Sequence, residues 1–100
     1  MRESNIEAYL VAQVKACGGE ARKVSWVGRR GAPDRLVMLS SGLFVHGKWT
    51  NAAWVELKAP GQKTKPHQER EHLRMRLMGQ CVVVIDSIHG VDKLLSGDGA

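Results

Sequence analysis

Apolar residues recur at helical spacing along the first stretch of the chain. Ile6, Leu10, Val14 and Cys17 fall on one stripe, and Gly18-Gly19 ends it. Residues from about Glu3 to Cys17 therefore read as a helix. The period then shortens. Glu20 to Val27 alternates and ends in the β-favouring Val24, Trp26 and Val27, which predicts a strand. Gly28-Arg29-Arg30-Gly31-Ala32-Pro33 interrupts it, because the glycines free the backbone and Pro33 drives Ala32 out of the helical region. Arg35 to Leu39 reads as a second strand and Ser40-Ser41-Gly42 as a turn. Leu43 to His46 reads as a short third strand, with a break at Gly47-Lys48, and Asn51 to Lys58 as the next. The pattern leaves open whether Leu43–Lys58 is one interrupted strand or two. Ala59-Pro60-Gly61 ends it.

Thr64 has the chemistry of an N-cap, with Pro66 in the first turn behind it. The helix it opens runs to about Met78, with Leu73, Leu77 and Met78 expected to face the core, and Gly79 is a natural residue to follow its end. Cys81 to Ile85 is a continuous apolar run, which predicts a strand buried on both faces. Ser87 caps a last short helix carrying Val91, Leu94 and Leu95, and Ser96 to Ala100 reads as a frayed tail. The order is helix, three or four strands, helix, strand, helix. The strand–helix–strand passage from Asn51 to Ile85 implies a parallel crossover. The expected fold is α/β, a mixed sheet flanked by helices, in a single domain over residues 1–100.

Composition narrows the class. A chain of 100 residues buries one thin core. Fifteen Lys and Arg against ten Asp and Glu give a formal net charge of +5, which favours a polyanionic partner such as nucleic acid. Cys17 and Cys81 lack paired spacing and read as small buried hydrophobes, not as a disulfide framework or a zinc site. The histidines at 46, 67, 72 and 89 are scattered and form no metal-binding pair. No apolar run reaches transmembrane length and no signal-peptide core opens the chain, so the protein is expected to be intracellular.

The candidate chemistry lies in Asp34, which follows Pro33, and in Glu56-Leu57-Lys58. Glu56 and Lys58 are two apart on a strand and project to one face, while Val55 and Leu57 point into the core. If the strand opened by Asp34 is a neighbour, Asp34 and Glu56 converge on one cation. Two carboxylates with the Leu57 carbonyl form a hard oxygen site suited to Mg²⁺ or Mn²⁺. Lys58 beside it would orient a water, help deprotonate it, or stabilise developing negative charge. Basic residues flank both segments. Arg29, Arg30 and Arg35 lie around Asp34; Lys63, Lys65 and Arg70 follow the second motif, and all six are candidate DNA-phosphate contacts. Trp26, Trp49 and Trp54 are candidates either for base stacking or for the core, and Trp54 shares a face with Glu56.

Gly31-Ala32-Pro33-Asp34, then Val55-Glu56-Leu57-Lys58-Ala59-Pro60-Gly61, then Gln68, resembles the PD-(D/E)xK nuclease superfamily. More closely, it resembles the virus-type replication-repair nuclease (VRR-NUC) family in its compact standalone form. The resemblance runs from Arg2 through Ser87, nearly the whole chain. It implies a restriction-endonuclease-like fold, with Asp34 and Glu56 as metal ligands, Lys58 as catalytic lysine and Gln68 as an active-site residue. It also implies an acidic residue from the first helix, Glu7, with Glu3 as the alternative.

The reading that results is an Mg²⁺- or Mn²⁺-dependent endodeoxyribonuclease acting on branched DNA such as Holliday junctions. The competing readings are a non-catalytic nucleic-acid-binding protein on the same fold, and an interaction subunit of a replication complex. A symmetric homodimer is expected, because a thin core gains from self-association and resolving a junction takes two cuts. Leu43, Phe44, Val45 and Trp49 are candidates for that interface or for the core.

Overall fold

The computed structural model describes residues 1–97. The last three residues of the tail expected to fray lie outside them. Helix α1 (Glu3–Ala16) buries Ile6, Leu10 and Val14 completely. The Arg2 N–H donates to Asn5 Oδ1 at 2.9 Å and so steadies its first turn. Cys17 is the C-cap and is exposed, not buried as its place on the stripe suggested. The helix turns away from the sheet there, and the Gly19 N–H closes back on the Val14 carbonyl at 2.9 Å.

Four strands follow: β1 (Glu20–Lys23), β2 (Arg35–Val45), β3 (Lys48–Leu57) and, after a helix, β4 (Val82–Ile85). They form one sheet in the order β1-β2-β3-β4, antiparallel except for the β3–β4 pair, which is parallel. Three strand expectations are corrected. β1 stops at Lys23 instead of running to Val27, because its partner begins at Arg35, opposite Lys23. A last backbone bond joins the Val24 N–H to the Asp34 carbonyl at 2.8 Å, and Pro33 has no N–H to carry the ladder further. Val27 is fully exposed.

Secondly, Ser40-Ser41-Gly42 is no hairpin turn. β2 runs straight through it, and the register slips between Met38 and Leu43. The Asn51 side chain holds the irregularity by donating to the carbonyls of Leu39 (3.2 Å) and Ser40 (3.1 Å). The true turn is His46-Gly47, at φ 47° and 81°, the positive pair that a two-residue hairpin requires. The stretch from Leu43 to Lys58 is therefore one hairpin. Thirdly, β4 is an edge strand. Val82, Val83 and Ile85 are buried, but Val84 is 43% exposed.

Alternation along the strands sorts the two faces. Val37, Leu39, Ala53, Val55, Leu57, Val83 and Ile85 pack with α1 and with Val91 and Leu94 of α3 (Ile88–Leu95). Each such side chain contributes about 1.5–3 kcal/mol on burial. Ser87 caps α3 as expected, its Oγ accepting from the Gly90 N–H at 2.9 Å. Leu43 and Val45 belong to this core, whereas Trp49 is 66% exposed at the hairpin's far end.

Helix α2 (Pro66–Leu77) crosses the other face between β3 and β4. Its cap is Lys65, not Thr64; Gln68 Oε1 reaches back to the Lys65 N–H at 2.9 Å, and Thr64 Oγ bonds to Glu69 instead. The expected core leucines are on the wrong side: Leu73, Leu77 and Met78 are 56%, 77% and 71% exposed. The buried side carries Glu71, His72 and Met75. The physical reason is what lies beneath, the charged end of β3. Among the described residues, no helix is long and apolar enough to cross a membrane.

Candidate active site

The register Arg35↔Val55 sets Asp34, one residue before β2, opposite Glu56 near the end of β3. Glu56 and Lys58 both face α2, while Val55 and Leu57 fill the core on the opposite face. Each motif residue has a specific support. Lys58, only 9% exposed, donates from Nζ to Gln68 Oε1 at 2.7 Å. The same oxygen accepts the Lys65 N–H, so the start of α2 fixes the glutamine and the glutamine fixes the ammonium.

Asp34 hangs from the loop 24–34, which is fastened at several points. Pro33 is fully buried. Trp26 Nε1 donates to the Pro33 carbonyl at 2.8 Å, and its ring lies 5.1 Å from that of Trp54. Trp54 is held in turn by Gln80 Oε1 at 3.2 Å. Gly31, at φ 79°, lies so close to α2 that a Cβ there would meet the His67 carbonyl at 2.7 Å, so only glycine fits. Arg29 pairs with the buried Glu71 at 3.4 Å, and Arg74 with the same carboxylate at 3.0 Å.

The site is rich in carboxylates. Burial pushes the Glu56 carboxyl up to about 7; Lys58 opposes this, and the charges of Asp34 and Glu3 add to it. Glu56 Oε1 lies 3.4 Å from His72 Nε2. Asp34 Oδ2 pairs with Lys23 Nζ at 2.8 Å, and Lys23 also reaches Glu7 Oε2 at 3.2 Å. Arg35 Nε donates to the same Glu7 oxygen at 3.0 Å and its Nη1 to the Ala21 carbonyl. Burial raises the Glu7 carboxyl, but hydrogen bonds from Arg35 and Lys23 outweigh it and hold Glu7 below the usual carboxylate range. Of the two acids on α1, Glu7 is thus paired locally, and the charge of Glu3 contributes to raising Glu56.

The cations divide similarly. Arg29 and Arg35 are engaged in ion pairs. The side chains of Arg30, Lys63, Lys65 and Arg70 form no ion pair among the described residues. Partial burial, then the charges of Arg30, Lys65, Arg70 and Lys58, push the His67 imidazole below its usual range. Those four cations therefore gather about the N-terminus of α2, beside the site. Among the described residues, no group of three or more His, Cys, Asp or Glu is arranged to hold a metal ion.

Comparison with known proteins gives the family. The chain is 46% identical over 87 residues, 87% of its own length and 85% of the relative's, to the protein named Putative nuclease p44 of Acyrthosiphon pisum secondary endosymbiont phage 1. A solved structure, a VRR_NUC domain, superposes with a TM-score of 0.75 at 40% identity and 94% coverage of both chains. The chain belongs to the VRR-NUC nuclease family. No protein-family model matches it.

The α/β fold of this VRR-NUC chain, three helices about a four-stranded mixed sheet, follows the order expected from sequence. Three residues near the motif were not singled out by sequence: Lys23, Glu71 and His72. Lys23 carries no signal in the chain, since only the end of β1 brings it to Asp34. Glu71 and His72 do carry one. They lie three and four residues after Gln68, on the same helix face.

Proposed function

We propose that this VRR-NUC protein is a metal-dependent endonuclease that hydrolyses DNA phosphodiesters with Mg²⁺ or Mn²⁺. The observation that carries the reading is Glu56. A mostly buried carboxyl, raised to about 7 and facing two further acids, is a site short of positive charge. Asp34, Glu56 and the Leu57 carbonyl are hard oxygen donors too few to saturate a cation, which fits an ion that keeps several waters. A divalent cation held there would supply positive charge to the scissile phosphate and to an attacking water.

The chain's own residues do the rest. Gln68 orients the Lys58 ammonium toward the reacting phosphate, where it stabilises the charge that develops. Glu3 is the acid of α1 directed at Glu56, while Glu7 holds Lys23 and Arg35 in place. Arg30, Lys63, Lys65 and Arg70 position the DNA backbone, and Arg29 and Arg35 hold the loop that carries Asp34. Changing Arg30 and Arg70 together to Ala should lower the slope of log affinity against log salt by about 2.

Branched DNA is the proposed substrate, on the family resemblance. The working unit is a homodimer, because one site cuts one strand and a four-way junction needs two opposed cuts. The phage relative agrees with action in the cytoplasm of a phage-infected bacterial cell. Labelled duplex and four-way junction, incubated with and without Mn²⁺, test the reading. Cleavage that needs Mn²⁺ and disappears in Glu56→Ala supports it, and binding without cleavage overturns it. Light scattering that shows a monomer of about 11 kDa with junction DNA present would remove the dimer.

A further inference from the structure

His72 lies in a place where an apolar side chain is expected. It is 1% exposed, on the sheet-facing side of α2, while Leu73 and Leu77 of the same helix stand in solvent. Its Nε2 has no hydrogen-bond partner, the only buried side-chain nitrogen or oxygen of which this is true among the described residues. An unmet buried polar atom costs about 1–3 kcal/mol, so its placement calls for a reason. The nearest acceptor is Glu56 Oε1 at 3.4 Å, just beyond hydrogen-bond length for good geometry. Glu56 is itself 13% exposed, and its other close charges come from Lys58, Asp34, Glu3 and Lys23. At that separation, alignment of the ring N–H with the carboxylate oxygen completes a hydrogen bond.

We propose that His72 is a positioning residue for Glu56: its Nε2–H donates to Oε1 and leaves Oε2 to a divalent cation. This rests on the reading of Glu56 as a metal ligand. A neutral imidazole carries a single N–H, on Nδ1 or on Nε2. The tautomer therefore decides whether the bond exists. Carboxylates that bind metals are commonly held by such outer partners, which orient the free oxygen. The helix enforces the geometry, since Gln68 and His72 are one turn apart and grip Lys58 and Glu56, themselves two apart on β3. One face of α2 thus holds both charged groups of the motif.

The test has two parts. In the metal-free protein held well above pH 7, where the Glu56 carboxyl is ionised, ¹⁵N NMR of the His72 ring should show the Nε2–H tautomer; a ring protonated at Nδ1 alone has nothing to donate and overturns the proposal. Mn²⁺ binding is then measured by calorimetry on wild type, His72→Leu and His72→Gln, with melting curves as the check on folding. His72→Leu keeps the volume, loses the donor, and should bind Mn²⁺ about 10–100-fold more weakly. His72→Gln, whose amide nitrogen stands near the Nε2 position, should recover most of that affinity, which a merely space-filling role does not predict. Equal Mn²⁺ affinity in wild type and a folded His72→Leu overturns the proposal while leaving the metal site intact. A wild type that binds no Mn²⁺ overturns the metal site itself, and with it the role given to His72.

Discussion

The two faces of the sheet are built on opposite rules. The face toward α1 and α3 is apolar throughout, with Ile6, Leu10, Val14, Val37, Val55, Val91 and Leu94 all fully buried. The face toward α2 buries Lys58, Glu71 and His72, with Glu56 nearly so, and leaves Leu73 and Leu77 in water. One face holds the fold together and the other holds charges partly withdrawn from water. The second arrangement opposes folding, since a charge out of water is costly unless paired. The first face offsets it. The candidate site thus lies on the side that opposes folding, which is the usual relation between site and scaffold.

The contrast is sharpest in its largest effects. Lys58→Ala should reduce cleavage by about 10²–10⁴-fold while the melting temperature stays near that of wild type. Single-turnover assays beside melting curves decide it, and a Lys58→Ala protein that is active or unfolded breaks the division of labour. On the other face, Leu10→Ala should lose about 2–5 kcal/mol of stability, because it opens a cavity in a closed core. Denaturant titration measures this. A loss under about 1 kcal/mol would mean that the core is not where the stability lies.

A smaller effect has the opposite sign. The Glu56 carboxyl sits at about 7 in the folded protein against 4.5 for a free one. Between those values the folded state keeps a proton that the unfolded chain has released. Stability from this group is therefore lost as pH rises from about 4.5 to about 7. In EDTA, Glu56→Gln should gain about 2–3 kcal/mol at pH 8 and almost nothing at pH 4. An equal difference at both pH values would show that Glu56 is not strained by its burial. Smallest of all, Leu73→Ser with Leu77→Ser should change the stability of dilute protein by less than about 0.5 kcal/mol for each substitution. A greater loss that appears only at high protein concentration would show that a second copy covers this stripe.

The comparison also explains what was legible in the chain. The periodicity of Ile6, Leu10 and Val14 located α1, and the apolar runs located β3 and β4, because solvent exclusion acts on each of them alone. The same rule misplaced the face of α2. Leu73 and Leu77 mark an apolar stripe, but the surface under the helix is the charged end of β3, where Gln68 binds Lys58 and His72 lies 3.4 Å from Glu56. The turn misread at Ser40-Ser41-Gly42 has a similar origin. Its residues favour a turn locally, yet Asn51, eleven or twelve residues away, satisfies the Leu39 and Ser40 carbonyls and lets the strand continue. His46 at positive φ closes the real hairpin, a conformation histidine adopts more readily than most residues but still uncommonly.

The motif residues Asp34, Glu56, Lys58 and Gln68 were readable from spacing and resemblance, since two-residue alternation on a strand and a proline-fixed entry are properties of the chain itself. Their partners were not. That Lys23 pairs with Asp34, that Glu7 is held by Lys23 and Arg35, and that Arg29 is tied to Glu71 depend on which distant segments meet. Local sequence sets the backbone's periodicity and therefore which side chains share a face. Only the packed structure decides what that face is pressed against, and that contact determines whether a charge is solvated, paired, or left buried and short of a partner.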